Sequence, residues 1–345
     1  MRKARRDAGA HDRSPSEGTR HHHRHRSPQS MALAAGCRVI VKNAVRLWAL
    51  QPNLRWPFDS IDRMAGFAPL PTSVSIERIR LPSCPAELIC AAGTSASRAV
   101  LYLHGGAFLT CGLNTHRSLV TRVSRAADAE VLNVGYRMLP AYGPSAAVAD
   151  ALDGLRWLLR RGYRARDIVL AGDSAGGYLA LATALELLRR GRTPTAGVAT
   201  ISPLTDLNPE TKLAQPNSGR CSMFTARAMS AFARYLAAQR RNRFNRHITS
   251  PVDAELSGMP PVSIHVSTDE FLLSDAELMF RRMNDAGARC DLHLWHGQIH
   301  DFPLAADILP EGRQAIRYVG AFVKQVTPAS VEDAVARDYA SAASL

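Results

Sequence analysis

From residue 73 onward, apolar residues gather in short runs: SVSIERIR (73–80), 86–91, AVLYLH (99–104), EVLNVG (130–135), DIVLA (167–171), 196–201, VSIHVST (262–268) and 290–295. After residue 99 these runs alternate with segments of helical period at 115–127, 146–161, 175–190, 274–287 and 312–324. Strands that alternate with helices predict βαβ units around a mostly parallel sheet, and the closely spaced first two runs predict an antiparallel entry. Two stretches break the rhythm. In 31–50, Arg38, Lys42 and Arg46 recur every four residues while Val39, Val45, Leu47 and Leu50 fall largely on other faces. That pattern predicts an amphipathic basic helix, suited either to cover its own protein or to rest on a membrane surface. Residues 205–250 hold a Pro/Asn/Gly loop, a helix over 225–239 and then QRRNRFNRH. An insertion of that length in a compact domain reads as a lid or binding element.

A chain of 345 residues with 46% apolar content can bury a sizeable core. Its net charge of +13 is uneven: eight Lys/Arg against Asp7, Asp12 and Glu17 place +5 of it in residues 1–30. That leader also carries His11, His21, His22, His23 and His25 and almost no apolar residues. It cannot bury enough surface to offset its ordering entropy, so disorder is expected over 1–30. Its composition suits metal or polyanions, but the plainer readings are a solvated tail or a stretch upstream of a translation start at Met31. The cysteines at 37, 84, 90, 111, 221 and 290 form no CxxC pair, which points to reduced thiols in a cytoplasmic protein. No apolar run approaches the roughly 20 residues that span a membrane. The tail 328–345 is small and polar.

The chemistry centres on VLAGDSAGGYLAL, residues 169–181. A glycine turn between strand and helix either cradles phosphate or mounts a reactive serine. No Lys follows the glycines, as a P-loop needs, and the spacing of a dinucleotide fingerprint is missing. The match is GxSxG: Gly172, Asp173, Ser174, Ala175 and Gly176. Such an elbow forces the serine into a strained conformation costing about 1–3 kcal/mol, and the residues two before and two after must be tiny. Gly172 and Gly176 are.

A serine hydroxyl needs a base, and the base needs an acid, in the chain order Ser, Asp/Glu, His. After the strand expected at 262–268 comes TDEFLLSDA. Asp269 is the first carboxylate past it and is the expected acid. Glu270 points the other way if strand geometry continues, and Asp275 suits a helix cap. After the strand at 290–295, His300 lies in the loop beyond, whereas His293 is within the strand and His296 at its end. His300 is the expected base; His265 and His247 read as structural or exposed. Oxyanion donors are expected from the glycine loop of LYLHGGAF, namely the amides of Gly105 and Gly106, together with Ala175. His104 then organises that loop.

HGGAF (104–108), Tyr136, Arg137 and Pro140 of a YR.LP stretch, GDSAGG (172–177), SPLTDL (202–207), GMPP (258–261) and His300–Asp301–Phe302 follow one another in a specific order. In these motifs, over residues 70–325, the chain resembles the hormone-sensitive-lipase-like branch of the α/β-hydrolases, especially its actinobacterial carboxylesterases. The resemblance implies an eight-stranded, mostly parallel sheet flanked by helices, a catalytic domain over 73–327, and a helical cap from 31–72 and the 205–250 insertion. It also implies a small ester substrate of short or medium acyl chain, with Ser174 as nucleophile, Asp269 as acid and His300 as base, and no cofactor or metal. Three positions depart from the family pattern. Ala107 replaces a third glycine, so its amide serves the oxyanion only if its backbone avoids positive φ. Ala141 stands where an acidic residue is usual, and Tyr178 where Asn is common.

Lactone hydrolysis, deacetylation and acyl transfer fit the same triad. A non-catalytic binding protein on this fold, as plant gibberellin receptors resemble, is the alternative of another class; those lack the base histidine. Nucleic-acid binding is not expected. Arg234, Arg240, Arg241, Arg243 and Arg246 cluster in the insertion and read as a solvated face or as a contact for an anionic substrate or lipid surface.

Overall fold

The computed structural model describes residues 18–69, 71–239 and 249–328. Its strands are β1 (Arg20–His23), β2 (Val74–Arg80), β3 (Pro85–Ala91), β4 (Ala99–Leu103), β5 (Glu130–Val134), β6 (Ile168–Asp173), β7 (Gly197–Ile201), β8 (Val262–Ser267) and β9 (Cys290–Trp295). The helices are α1 (Pro28–Val39), α2 (Val41–Leu50), α3 (Phe58–Ala65), α4 (Leu113–Ala127), α5 (Pro144–Arg160), α6 (Ala175–Arg189), α7 (Glu210–Leu213), α8 (Ala226–Gln239), α9 (Leu273–Asp285) and α10 (Pro310–Val326). The strands form one sheet in the order β1-β9-β8-β7-β6-β4-β5-β3-β2. Every pairing is parallel except those of β3, which runs antiparallel to both β2 and β5.

Both faces of the sheet are covered, which is why its central strands read as unbroken apolar runs. All five residues of β4 and of β5 are buried. On one face Val100, Tyr102, Val131 and Val169 pack against Val120 and Val123 of α4 and Val319 and Val323 of α10. On the other, Leu101, Leu103, Leu132 and Leu170 belong to the larger core that includes residues of α5, α6 and α9. The carboxyl ends of β6, β8 and β9 therefore open on the same edge of the sheet, with Ser174, Glu270 and His300 in the turns beyond them.

The eight strands expected from residue 73 onward are β2–β9. The ninth, β1, comes from the leader and corrects the expectation that all of 1–30 is disordered; residues 1–17 lie outside the described residues. Residues 20–23 pair in parallel with 292–295 along the free edge of β9. The Gly18 amide donates to Asn284 Oδ1 (3.0 Å) and that of Thr19 to Asp291 Oδ1 (2.9 Å). The histidines that look merely polar in sequence stack instead. His21 and His23 lie on His293 at centroid distances of 4.5 and 5.3 Å, His265 on its other neighbour side at 4.3 Å, and His23 covers Trp295 at 3.9 Å. Burial, reinforced by the neighbouring rings, lowers His23 to about 4 and His293 to about 3, so both rings are neutral near pH 7. A neutral imidazole is a flat, half-apolar plate. His23, His265 and His293 therefore serve as strand residues where charge would forbid it. Ser27 closes the leader as N-cap of α1, its hydroxyl accepting from the Ser30 amide and donating to the buried Glu311.

The single helix expected over 31–50 is broken at Ile40 into α1 and α2. Ala49 of α2 packs on Ala228 and Ala231 of α8, joining the N-terminal helices to the insertion. Lys42 Nζ donates to the Cys221 carbonyl (2.6 Å) and holds α2 to the insertion. Asp62 of α3 accepts from the Thr115 amide (2.8 Å) and from Asn114 Nδ2 (2.9 Å), which anchors that helix at the start of α4. Of the insertion's arginines Arg234 lies on α8; Arg240, Arg241, Arg243 and Arg246, like His247 and the tail from 329, lie outside the described residues.

Candidate active site

Ser174 stands between β6 and α6 with φ 51° and ψ −115°, a left-handed conformation a serine avoids. The turn is tight because chain passes close on both sides. A Cβ on Gly172 would lie 2.4 Å from the Gly176 carbonyl oxygen, and one on Gly176 would lie 1.9 Å from that of Leu103. Only glycine fits either place. The Ser174 amide donates to the Ile201 carbonyl (2.8 Å), which fixes the elbow to β7.

His300 follows β9, as expected, and its Nε2 lies 3.0 Å from Ser174 Oγ. The acid differs. Nδ1 of His300 lies 2.8 Å from Glu270 Oε2, not from Asp269. The strand ends at Ser267, so the alternation that turned Glu270 away stops there. The Ser267 hydroxyl accepts from the Asp269 amide (3.1 Å) and donates to the Gln298 carbonyl (2.6 Å), and the Ser267 amide donates to Glu270 Oε1 (3.2 Å). The resulting turn sends Glu270 inward, 1% exposed, and Asp269 outward to Thr268 Oγ1 (3.3 Å) and Arg220 (3.9 Å). Asp275, read as a cap, is fully buried in an ion pair with Lys212 (2.9 Å) and accepts from the Thr205 and Asp206 amides.

Beneath the serine, Asp173 is buried and accepts from Tyr102 OH (2.9 Å) and His116 Nε2 (3.1 Å). Burial raises Asp173, but the His116 charge outweighs it and holds the carboxyl below its usual range; in return His116 is raised despite its own burial. Asp173 and His116 are thus an ion pair. Nothing in the sequence motif pointed to His116, which lies in α4. The Gly105 amide is directed at the same buried pair, 3.3 Å from Nε2, but that nitrogen holds the proton it gives to Asp173 and cannot accept from the amide. Among the described residues the amides of Gly106 and Ala107 bond to no protein group, and that of Ala175 is the first of α6, where no intrahelical acceptor exists. Ala107 does adopt positive φ, 56°, which corrects the expectation that its amide is available only without it: the alanine holds a glycine-like conformation at a cost of about 1 kcal/mol and its amide is still unbonded. His104 holds the loop: its Nδ1 lies 2.7 Å from the Gly105 carbonyl, its ring stacks on Tyr136 at 4.2 Å, and burial lowers it to about 4. Tyr178 is a core residue here, edge-on to Phe108 at 5.6 Å.

Residues 100–304 match the family of the alpha/beta hydrolase fold. Esterase LipU of Mycobacterium tuberculosis is 42% identical over 298 residues, covering 84% of this chain and all of LipU. The chain belongs to the α/β-hydrolases, in their hormone-sensitive-lipase-like branch. Carboxylesterase/phospholipase LipF of the same organism is 43% identical over 72% of this chain and 69% of LipF. Among solved structures, an esterase from the bacterial hormone-sensitive lipase family superposes with a TM-score of 0.76 at 31% identity, over 88% of this chain and all of that one. EstE5 gives 0.75, also at 31% identity, over 87% of this chain and 99% of that one.

As in any α/β-hydrolase, the site lies in the crevice beyond the strand ends. The cap reaches it through Phe224, whose ring meets His300 edge-on at 5.0 Å. Burial disfavours charge on His300, yet the carboxylates of Asp301 and Glu270 outweigh it and hold the ring well above the ordinary imidazole range. The Ser174 hydroxyl, the His300 ring between two carboxylates and the unbonded amides of Gly106 and Ala107 are thus neighbours at the strand ends. Among the described residues no group of three or more His, Cys, Asp or Glu could hold a metal ion, and no helix is long and apolar enough to cross a membrane.

Proposed function

We propose that this protein is a serine carboxylesterase that hydrolyses short- to medium-chain esters through an acyl-enzyme, with Ser174 as nucleophile, His300 as base and Glu270 as the acid. The observation that carries the reading is the continuous line Ser174 Oγ, His300 Nε2, His300 Nδ1, Glu270 Oε2, with contacts of 3.0 and 2.8 Å. Glu270 keeps the proton on Nδ1, which leaves the Nε2 lone pair to take the serine proton as Oγ attacks the ester carbonyl. The developing oxyanion meets the amides of Gly106, Ala107 and Ala175. Imidazolium then protonates the departing alcohol, and water, activated by the same nitrogen, releases the acid from Ser174.

The test is a panel of nitrophenyl esters from acetate to palmitate, with a lactone and an N-acetyl amide alongside. Turnover is expected to peak in the short to medium range. A folded protein that turns over none of these substrates would move the non-catalytic binding reading to the front.

A contact with anionic lipid surfaces is the second reading, and the cap carries it. Val39, Ile40, Leu47, Leu50, Met64 and Phe67 are each more than half exposed, Phe67 at 90%. Arg38, Arg46, Arg55 and Arg63 are exposed among them. Exposed apolar residues on helices with interspersed arginines suit a headgroup interface, where each basic residue near the surface contributes about 1 kcal/mol. The protein is expected to float with phosphatidylglycerol vesicles more than with phosphatidylcholine, and less so in high salt or with Phe67→Ser. Equal recovery from both vesicles would remove the electrostatic reading.

A further inference from the structure

We propose that Asp301 is a second carboxylate on the catalytic base, acting at Nε2 of His300 as a positioning residue and setting the pH above which Ser174 is activated. The inference rests on His300 being the base. Its ground is a geometry that a Ser–His–acid triad does not require. Asp301 Oδ2 lies 3.0 Å from Nε2, the nitrogen that also lies 3.0 Å from Ser174 Oγ. Two groups therefore meet one ring nitrogen: the serine hydroxyl needs its lone pair, and the carboxylate needs a proton on it. The other oxygen, Oδ1, is buried and has no hydrogen-bond partner among the described residues. Asp301 takes up φ 52°, with its amide directed to Ser202 Oγ at 3.3 Å. Aspartate tolerates that left-handed conformation better than most residues, and adopting it brings the carboxyl to the ring. The next residue, Phe302, is fully buried against Trp295 at 5.3 Å and fixes the chain there.

The consequence follows from where the proton can be. With Asp301 ionised, Nε2 gains an acceptor for a proton of its own, and the imidazolium is favoured before any serine has reacted. A protonated base cannot take the serine proton. After attack the same carboxylate stabilises the imidazolium that the reaction forms. Asp301 thus lowers activity on the acid side of neutrality and supports it once the ring is free.

The charged and titratable groups around the pair come from several elements. Glu270 faces it from the turn after β8, and Asp173 from the end of β6, with its partners Tyr102 of β4 and His116 of α4. Cys111 lies in the loop before α4, and the cap presents only the Phe224 ring to His300 among the contacts described. Burial raises Asp301 to about 7, with the His300 charge opposing and Asp173 reinforcing the rise. His300 lies well above its ordinary range. Both shifts oppose loss of the proton from the pair, so activity is expected to rise with pH as His300 gives its proton up.

The experiment compares pH profiles of kcat/KM for a nitrophenyl ester in the parent protein, Asp301→Asn and Asp301→Ala. Both variants are expected to move the acid limb to lower pH by about one unit or more, the size typical of removing an opposite charge within contact distance. A uniform loss at every pH, with no movement of the limb, would reduce Asp301 to a packing residue and overturn the proposal. So would a shift in Asn alone, since the alanine removes the same charge. A second readout needs no turnover. In the Ser174→Ala background, the ring-proton resonance of His300 is titrated with and without Asp301→Asn. A lower midpoint without the carboxylate is expected, and an unchanged one overturns the inference. If the parent turns over no ester, the esterase reading fails while the titration still decides the role of Asp301.

Discussion

Ser174→Ala is expected to lower kcat/KM for a short nitrophenyl ester by about 10⁴- to 10⁶-fold, the loss usual when a triad nucleophile is deleted. Stability is expected to hold. The strain at this position lies in the backbone, at φ 51°, and alanine inherits it without adding bulk to a site where Gly172 and Gly176 leave no room. The lost hydroxyl leaves Nε2 of His300 with Asp301 as its neighbour at 3.0 Å, so no buried ring nitrogen is stranded. Steady-state kinetics on parent and variant, with urea midpoints on both, check the two halves together. Covalent labelling by a phosphonate ester, read as a mass increase on the peptide that contains Ser174, should vanish with the hydroxyl. Activity within tenfold of the parent would mean that another nucleophile serves.

The second large effect separates two adjacent carboxylates. Glu270→Gln is expected to lower kcat by about 10³- to 10⁴-fold with little change in KM, the loss seen when the orienting acid of a triad becomes an amide. The side chain is buried, accepts from the Ser267 amide and contacts Nδ1 at 2.8 Å. An amide there can offer a proton to Nδ1 and so stabilise the tautomer whose Nε2 already carries hydrogen. Asp301 cannot substitute, because it lies at the opposite nitrogen. Asp269→Asn is expected to stay within about threefold of the parent, as its carboxylate is partly exposed and makes only a loose pair with Arg220 at 3.9 Å. Kinetics on the two variants side by side decide the assignment. If Asp269→Asn is the crippled one, the acid reverts to Asp269.

The relation between these neighbours shows how far a motif carries. The serine was legible because its signal is local: an apolar strand, two glycines at fixed spacing and a helix. The packing distances at Gly172 and Gly176 are the reason that spacing exists. His300 was legible for a related cause, since it lies well into the loop after the last strand, whereas His296 directly abuts the strand end. The acid was not. Choosing between Asp269 and Glu270 depended on extending strand alternation past residue 267, and the Ser267 hydroxyl bends the chain there by binding an amide and a carbonyl from the loop after β9. A carboxylate doublet after a strand end is the signal that two candidates should be held open. His116 left no local trace, because its partner Asp173 is 57 residues away in sequence.

The leader teaches the complementary lesson. Its composition argues against a packed core, and of its described residues, 20–23 instead complete the edge of a sheet built by others. The histidines of β1 gain order only because His293, His265 and Trp295 present flat rings at matching register.

By itself, then, the sequence determined the succession of strands and helices, the parallel sheet, the elbow at Ser174 and the place of His300 beyond β9, because each rests on periodicity or on contacts within a few residues. Tertiary structure alone decided that Glu270 rather than Asp269 meets the ring, that His116 pairs with Asp173 beneath the serine, that Asp301 lies at Nε2 beside the serine, and that a histidine strand lines β9. Those outcomes depend on which side chains from separate turns arrive within about 3 Å of one another, the reach of a hydrogen bond, and a shift of one residue in a turn is enough to exchange them.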